Sequence, residues 1–151
     1  MSSQSAGILL YRKAVSQLQI FLVHPGGPFF KNKDLGAWSI PKGEFSDNEE
    51  PLAAAKREFE EETGQRIDGN FIELNPVKLK SGKKVYSWAV EGDIDHEAIV
   101  SNLFEMEWPP KSGKKQSFPE IDRAGWFNVD EAKLKVNIAQ ATFIEELAAR
   151  V

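Results

Sequence analysis

Cysteine is missing from all 151 positions, which excludes disulfides, zinc–thiolate centres and thiol nucleophiles. Histidine occurs only as His24 and His96. The two lack metal-ligand spacing, and each reads as an ordinary strand or loop residue. No apolar run approaches the roughly 20 residues needed to cross a bilayer. The opening residues, MSSQSAG, have neither the basic start nor the apolar stretch of a signal peptide. A cytoplasmic location without a membrane partner is the default expectation. Basic residues are in no excess either: 19 Lys and Arg stand against 23 Asp and Glu, a net charge of −4. No nucleic acid polymer is expected as a partner, and any polyanion must be held by local groups.

What remains is the composition of an ordinary globular chain. A hydrophobic fraction of 41%, with four Trp and ten Phe, supplies a core for one domain over residues 1–151. No segment has the character of a linker. The pentapeptide Lys-Ser-Gly-Lys-Lys occurs at 80–84 and again at 111–115, too few copies for a repeat architecture.

Residues 6–11 and 18–24 are β-rich runs joined by a polar connection, which predicts a hairpin of core strands. A loop follows at His24-Pro-Gly-Gly-Pro28, and residues 37–40 read as a short strand. Helix signals cover 50–64, with Pro51 suited to the first helical position and Gly64 to the residue past the end. Residues 71–80 and 83–91 read as strands about a Ser-Gly turn. Residues 97–104 open as a turn of helix and 104–108 alternate like a strand; 125–129 form a last strand. Beyond 130, a short helix precedes a longer one, with Ile138, Ala141, Ile144 and Leu147 at helical spacing. The sum is a mixed α/β fold with helices covering a sheet.

The helix at 50–64 carries the chemistry. Glu58, Glu61 and Glu62 stand at i, i+3 and i+4, so three carboxylates share one face. Their repulsion destabilises an isolated helix, and clustered carboxylate oxygens suit a hard cation such as Mg²⁺ or Mn²⁺. Leu52, Ala55 and Phe59 form an apolar stripe roughly 100° from the acidic face, which therefore borders the core. Ala54, one turn before Glu58, is expected to leave room for ions. Arg57 lies one turn before Glu61, close enough to orient its carboxylate.

Gly43, Glu49, Arg57, Glu58, Phe59, Glu61, Glu62 and Gly64 together resemble the Nudix box: Gly, five residues, Glu, seven residues, Arg-Glu, an apolar residue, any residue, Glu-Glu, any residue, Gly. At average residue usage, chance agreement at the seven fixed identities is on the order of one in a million for a chain this long. Gln65 departs from the apolar residue that closes the pattern. The surroundings also resemble the family, with a strand pair before the box, Trp38-Ser-Ile-Pro-Lys-Gly43 leading in, and Asp122-Arg-Ala-Gly-Trp-Phe127 late in the chain. The resemblance implies an α/β/α sandwich around a mixed β-sheet. It also implies hydrolysis of a phosphoanhydride bond with Mg²⁺ or Mn²⁺ held by Glu58, Glu61 and Glu62 and by the backbone carbonyl near Lys42. Arg57 and Glu49 look like supports. Glu58 is the first candidate for general base; Glu120 is the distant-loop candidate, with Glu105 and Glu107 behind it.

The entry to the box resembles that of enzymes acting on dinucleoside polyphosphates and nucleoside triphosphates. Lys33, Lys42 and Lys83, with Lys31, Lys84, Lys114 and Lys115, are candidates to bind phosphates. Tyr86 is the candidate to stack on a base, with Trp88, Phe29 and Phe30 as further aromatics. Pro76 lies too early for the ADP-ribose branch, and the coenzyme A signature is absent. The alternative is a nucleotide-binding domain with a regulatory role. Loss of box carboxylates would mark such a domain, and here all are present. The oligomeric state is not legible.

Overall fold

In the computed structural model, which describes residues 3–151, the first β-rich runs become β1 (Gln4–Ala14) and β2 (Gln17–Pro25), paired antiparallel with Tyr11 opposite Ile20. Then come β3 (Lys42–Glu44), α1 (Pro51–Thr63), β4 (Ile72–Glu73), β5 (Val77–Lys78), β6 (Lys84–Glu91), β7 (Leu103–Glu107), β8 (Lys115–Pro119), β9 (Ile121–Asn128), α2 (Val129–Lys135) and α3 (Ala141–Arg150). Single 3₁₀ turns occupy His96–Ala98 and Ile138–Gln140.

A seven-stranded sheet runs β4-β6-β1-β2-β9, with β3 added to β1 and β5 to β6. It is mixed, since β1 and β6 run parallel while the other pairs are antiparallel. Period-two alternation sends β1 side chains to both faces. Ala6, Ile8 and Leu10, with Phe21 and Val23 of β2, pack against Ala54, Ala55 and Phe59 of α1. Leu9 and Tyr11, with Ile20 and Leu22, pack against Ala132, Phe143, Ile144 and Leu147 of α2 and α3. These two apolar clusters make the α/β/α sandwich. The wholly buried ring of Phe59 contributes on the order of 2–3 kcal/mol to seating α1.

Several expectations fail for local reasons. Residues 37–40 form only isolated bridges, Ser39 to Val23 and Trp38 to Val136, because the segment crosses between two elements rather than following one. The run 71–80 divides into β4 and β5 around Pro76, which has no N–H for the ladder. Ile138 keeps the helical spacing yet is 91% exposed, because it precedes α3 in the 3₁₀ turn. Ala54 is fully buried against the sheet, so it fills core and leaves no space for ions. β7 and β8 form a separate two-stranded arm. No helix among the described residues is long and apolar enough to cross a membrane.

Candidate active site

The helix α1 is fixed at both ends. Glu50 caps its start, accepting from the Ala53 N–H at 2.8 Å, and Pro51 fills the position where a missing N–H does no harm. Gly64 closes it in the left-handed region at φ +74°, its N–H donating to the Glu60 carbonyl at 2.8 Å. With Ala54, Ala55 and Phe59 locked into the sheet, Glu58 and Glu62 are turned toward β3.

Contact with β3 is close. Gly43 presses on Glu58 so tightly that a Cβ there would lie 2.0 Å from Glu58 Oε2. The Lys42 N–H donates to Glu62 Oε1 at 3.3 Å. Burial, then the charge of Glu61, raises the pKa of Glu58 above the usual carboxylate range. Glu62 is half-buried at its surface but densely surrounded, and desolvation together with Glu58 and Glu120 pushes it up to about 8 against the pull of the Lys42 amide.

Arg57 is the one guanidinium paired with this acidic group among the described residues. Its Nε and Nη2 donate to Glu49 at 2.7 and 3.0 Å, and its Nη1 donates to Oε1 of Glu58 at 2.9 Å and of Glu61 at 3.0 Å. The four interactions raise its own pKa, with the Glu49 hydrogen bonds the largest cause.

Glu120 joins the same group from the chain just before β9. The Asn102 N–H donates to the Glu61 carbonyl at 3.0 Å, the Glu120 N–H to the Asn102 carbonyl at 2.8 Å, and the Gly26 N–H to the Glu120 carbonyl at 2.8 Å. This stitching sets Glu120 beside the helix, where burial and then Glu61 raise its pKa. Glu107 is engaged elsewhere: its carboxylate accepts from the Lys111 and Gly113 amides and closes the turn of the arm. Glu105 is an exposed residue of β7.

The proposed phosphate ligands divide. Lys42 is largely enclosed, and burial followed by the charge of Lys83 lowers its pKa, while Glu62, Glu44 and Glu58 oppose that shift. Lys83 pairs with Glu44 at 3.0 Å, so Lys42 lies beside the box carboxylates and Lys83 beside Glu44 and Lys42. Lys33 lies on the loop after β2, its ammonium 5.4 Å from the Phe30 ring centre. Tyr86 packs edge-on against Phe45 at 6.1 Å, next to an open cleft of about 770 Å³ lined by Gln4, Glu44, Phe45 and Asp47.

Two features escaped sequence reasoning. His24 is fully buried, Nδ1 at 2.8 Å from Asp122 Oδ1 and Nε2 at 2.7 Å from the Lys33 carbonyl, so it ties the loop to β9. Nothing in a lone histidine announces that. Gly43 as the seat of Glu58 was visible only as a motif position.

The donor set suits a hard divalent cation. It is all oxygen, burial and mutual repulsion raise the pKa of Glu58, Glu62 and Glu120, and among the described residues Arg57 is the one cationic side chain hydrogen-bonded to it. Among the described residues no three acidic or histidine side chains stand as a ready-made ligand cage. Arg57 takes Oε1 of both Glu58 and Glu61, so their Oε2 atoms accept nothing from it.

A model of the NUDIX domain family matches residues 1–147. No curated protein matches the chain. Solved structures share the fold at low identity. The C. elegans Ap4A hydrolase binary complex is 18% identical, with 96% of each chain covered and a TM-score of 0.66. The NUDIX domain of Shewanella oneidensis NrtR, complexed with ADP ribose, is 17% identical over 99% of this chain and 88% of that one, TM-score 0.65. A mutT/nudix family protein from Listeria innocua is 19% identical over 98% and 92%, TM-score 0.63.

Proposed function

Because the chain belongs to the NUDIX domain family, and is thereby a hydrolase of phosphorus-containing anhydrides, we propose that its substrate is a nucleoside polyphosphate. A dinucleoside polyphosphate or a nucleoside triphosphate fits best, with Mg²⁺ or Mn²⁺ as cofactor and residues 1–151 acting as one domain. The observation that carries this reading is the coupling of Glu58, Glu61, Glu62 and Glu120 into one acidic group answered by a single guanidinium.

In this reading Glu58, Glu61, Glu62 and the Lys42 carbonyl would hold the metal, which when bound would supply charge neutralisation on the phosphates and lower the pKa of an attacking water. Arg57, anchored on Glu49, keeps the carboxylates aimed. Lys42 and Lys83 flank the phosphate chain. Glu58 and Glu120 are the two bases within the group. Among the described residues Glu120 has no ion-pair partner, and its raised pKa suits proton abstraction.

The test is a screen of nucleoside triphosphates, diadenosine polyphosphates, ADP-ribose and nucleotide sugars with Mg²⁺ in ¹⁸O-water, the products identified by mass. The expected result is Mg²⁺-dependent cleavage of a nucleoside polyphosphate with one ¹⁸O in a phosphate product. Turnover of ADP-ribose or sugar nucleotides alone would overturn the substrate assignment.

A further inference from the structure

The arm formed by β7 and β8 stands off the main sheet, yet its inner face is built with care. Phe104 is registered opposite Phe118, their ring centres 6.0 Å apart. Phe104, Met106, Trp108 and Phe118 are half-buried while the alternate residues Leu103, Glu105 and Glu107 are exposed. The loop of residues 26–36 lies against the root of the arm. A Cβ on Gly26 would fall 2.0 Å from the Pro119 carbonyl oxygen, and one on Gly27, at φ +94°, would fall 2.9 Å from Phe104 Cζ. Only glycine permits that approach.

Farther out, Phe29 of the loop meets Trp108 of the arm edge to face, ring centres 5.6 Å apart at 77°. Phe29 is 60% exposed, and nothing within the described residues covers it. Trp108 is held at its backbone from both sides: its N–H donates to the Lys114 carbonyl at 2.9 Å, and its carbonyl accepts from Gln116 Nε2 at 2.8 Å. Two aromatic rings at right angles on an ordered support make a corner in which a flat aromatic ligand stacks on one ring and abuts the other.

Position and charge identify the ligand. Asn102 at the foot of β7 is bonded to the Glu61 carbonyl. Six residues of extended chain carry the arm from there to Trp108, about 20 Å at ~3.3 Å per residue. A base joined to the attacked phosphate through one ribose stays near the carboxylates, whereas the second nucleoside of a dinucleotide is carried outward by the intervening phosphates. Lys31 and Lys33 on the loop, with Lys111, Lys114 and Lys115 at the turn of the arm, give the path a positive border. We propose that Phe29 and Trp108 form a stacking platform for the second nucleobase of a dinucleoside polyphosphate whose phosphate chain is engaged at the α1 carboxylates. The proposal rests on the nucleoside polyphosphate reading of that site.

The experiment compares diadenosine tetraphosphate with ATP in the parent, Phe29→Ala, Phe29→Tyr and Trp108→Phe proteins. It measures kcat and KM for hydrolysis and, by equilibrium dialysis in Ca²⁺, binding. Phe29→Ala is expected to lower the preference for the two-base ligand about tenfold, mainly through KM, as loss of one stacking contact does. Phe29→Tyr and Trp108→Phe, which keep a ring, stay within about threefold of the parent. An equal loss for both ligands, or none, overturns the platform while leaving the hydrolase reading intact. If the parent cleaves neither ligand but binds diadenosine tetraphosphate with the same dependence on Phe29, the platform stands and the hydrolase reading falls. A parent that cleaves ATP without binding the two-base ligand overturns the platform alone.

Discussion

Arg57 grips both carboxylate oxygens of Glu49 across eight residues of chain, at 2.7 and 3.0 Å. The bond joins the loop before α1 to the middle of the helix, and the same guanidinium reaches Glu58 and Glu61. Arg57 therefore sets where the carboxylates point without having to touch substrate.

Arg57→Lys is expected to lower activity by about 10- to 100-fold and to raise the Mg²⁺ concentration needed for half-maximal rate, because an ammonium cannot hold Glu49 in two places. The melting temperature should fall by only a few degrees, since these pairs are partly exposed and solvent screens them. Mg²⁺ titrations of the rate, beside thermal melts, check both halves. An unchanged Mg²⁺ requirement would detach Arg57 from carboxylate positioning.

Glu62→Gln separates function from stability. With Glu61→Gln, it is expected to cut kcat by orders of magnitude while the protein still folds. Burial holds the carboxyl of Glu62 up to about 8, above its unfolded value near 4.3. A raised carboxyl binds more protons folded than unfolded, so the metal-free protein loses stability as pH rises from the unfolded value through about 8. Gln at 62 removes that loss. The metal-free variant should melt above the parent at pH 8 and no higher at pH 4. Mg²⁺ should raise the parent's melting temperature and do little for the variant. Melts in EDTA and in Mg²⁺ at both pH values decide it.

A second pH effect has the opposite sign. Asp34 accepts from Trp38 Nε1 at 2.8 Å and from Lys135 Nζ at 2.8 and 2.9 Å, pinning the loop to α2, and these bonds lower its pKa. A lowered carboxyl stabilises above its unfolded pKa and loses that contribution as pH falls through the folded one. Asp34→Asn should therefore melt lower than the parent at pH 7, by a contribution of no more than about 1 kcal/mol for so exposed a pair. The gap should close toward pH 3. A gap independent of pH would mean that shape rather than charge holds the loop.

How much was legible follows from what each feature depends on. The bounds of α1 depend on local chemistry, Pro51 at the start and Gly64 past the end, and the shared face of Glu58, Glu61 and Glu62 depends only on helical period. A mixed α/β fold with helices covering a sheet was readable from strand alternation and amphipathic helices, and the sandwich arrangement came with the resemblance to the Nudix family. β3 was not, because Lys42–Glu44 has no apolar alternation and exists as a strand only where Ser5–Gly7 offers an edge. Ile138 had the right spacing in the wrong turn. The room beside the acids was assigned to Ala54, which the sheet buries, whereas it is Gly43 that lies against Glu58. Glu120 was one of three acids until the bonds through Asn102 placed it and the arm's turn claimed Glu107. Long-range contacts of this kind leave no periodic trace in one sequence.

The contact between Gly43 and Glu58 yields the sharpest test. The backbone at Gly43 is outside the left-handed region, so alanine suits its conformation, and the only penalty is collision. An added Cβ would meet Glu58 at Oε2, Cδ and Oε1 at 2.0, 2.1 and 2.6 Å. The end of a carboxylate side chain can swing aside, so Gly43→Ala should fold, with a loss of about 1–3 kcal/mol for overpacking. Glu58 would then leave its position, and kcat should drop by more than tenfold. Placing Glu58→Gln in both backgrounds isolates the cause. If Gly43 acts through Glu58, the double variant is no slower than Glu58→Gln alone, because a displaced carboxylate has little left to lose. Additive losses would instead show that Gly43 shapes β3, and with it Lys42, independently of that carboxylate.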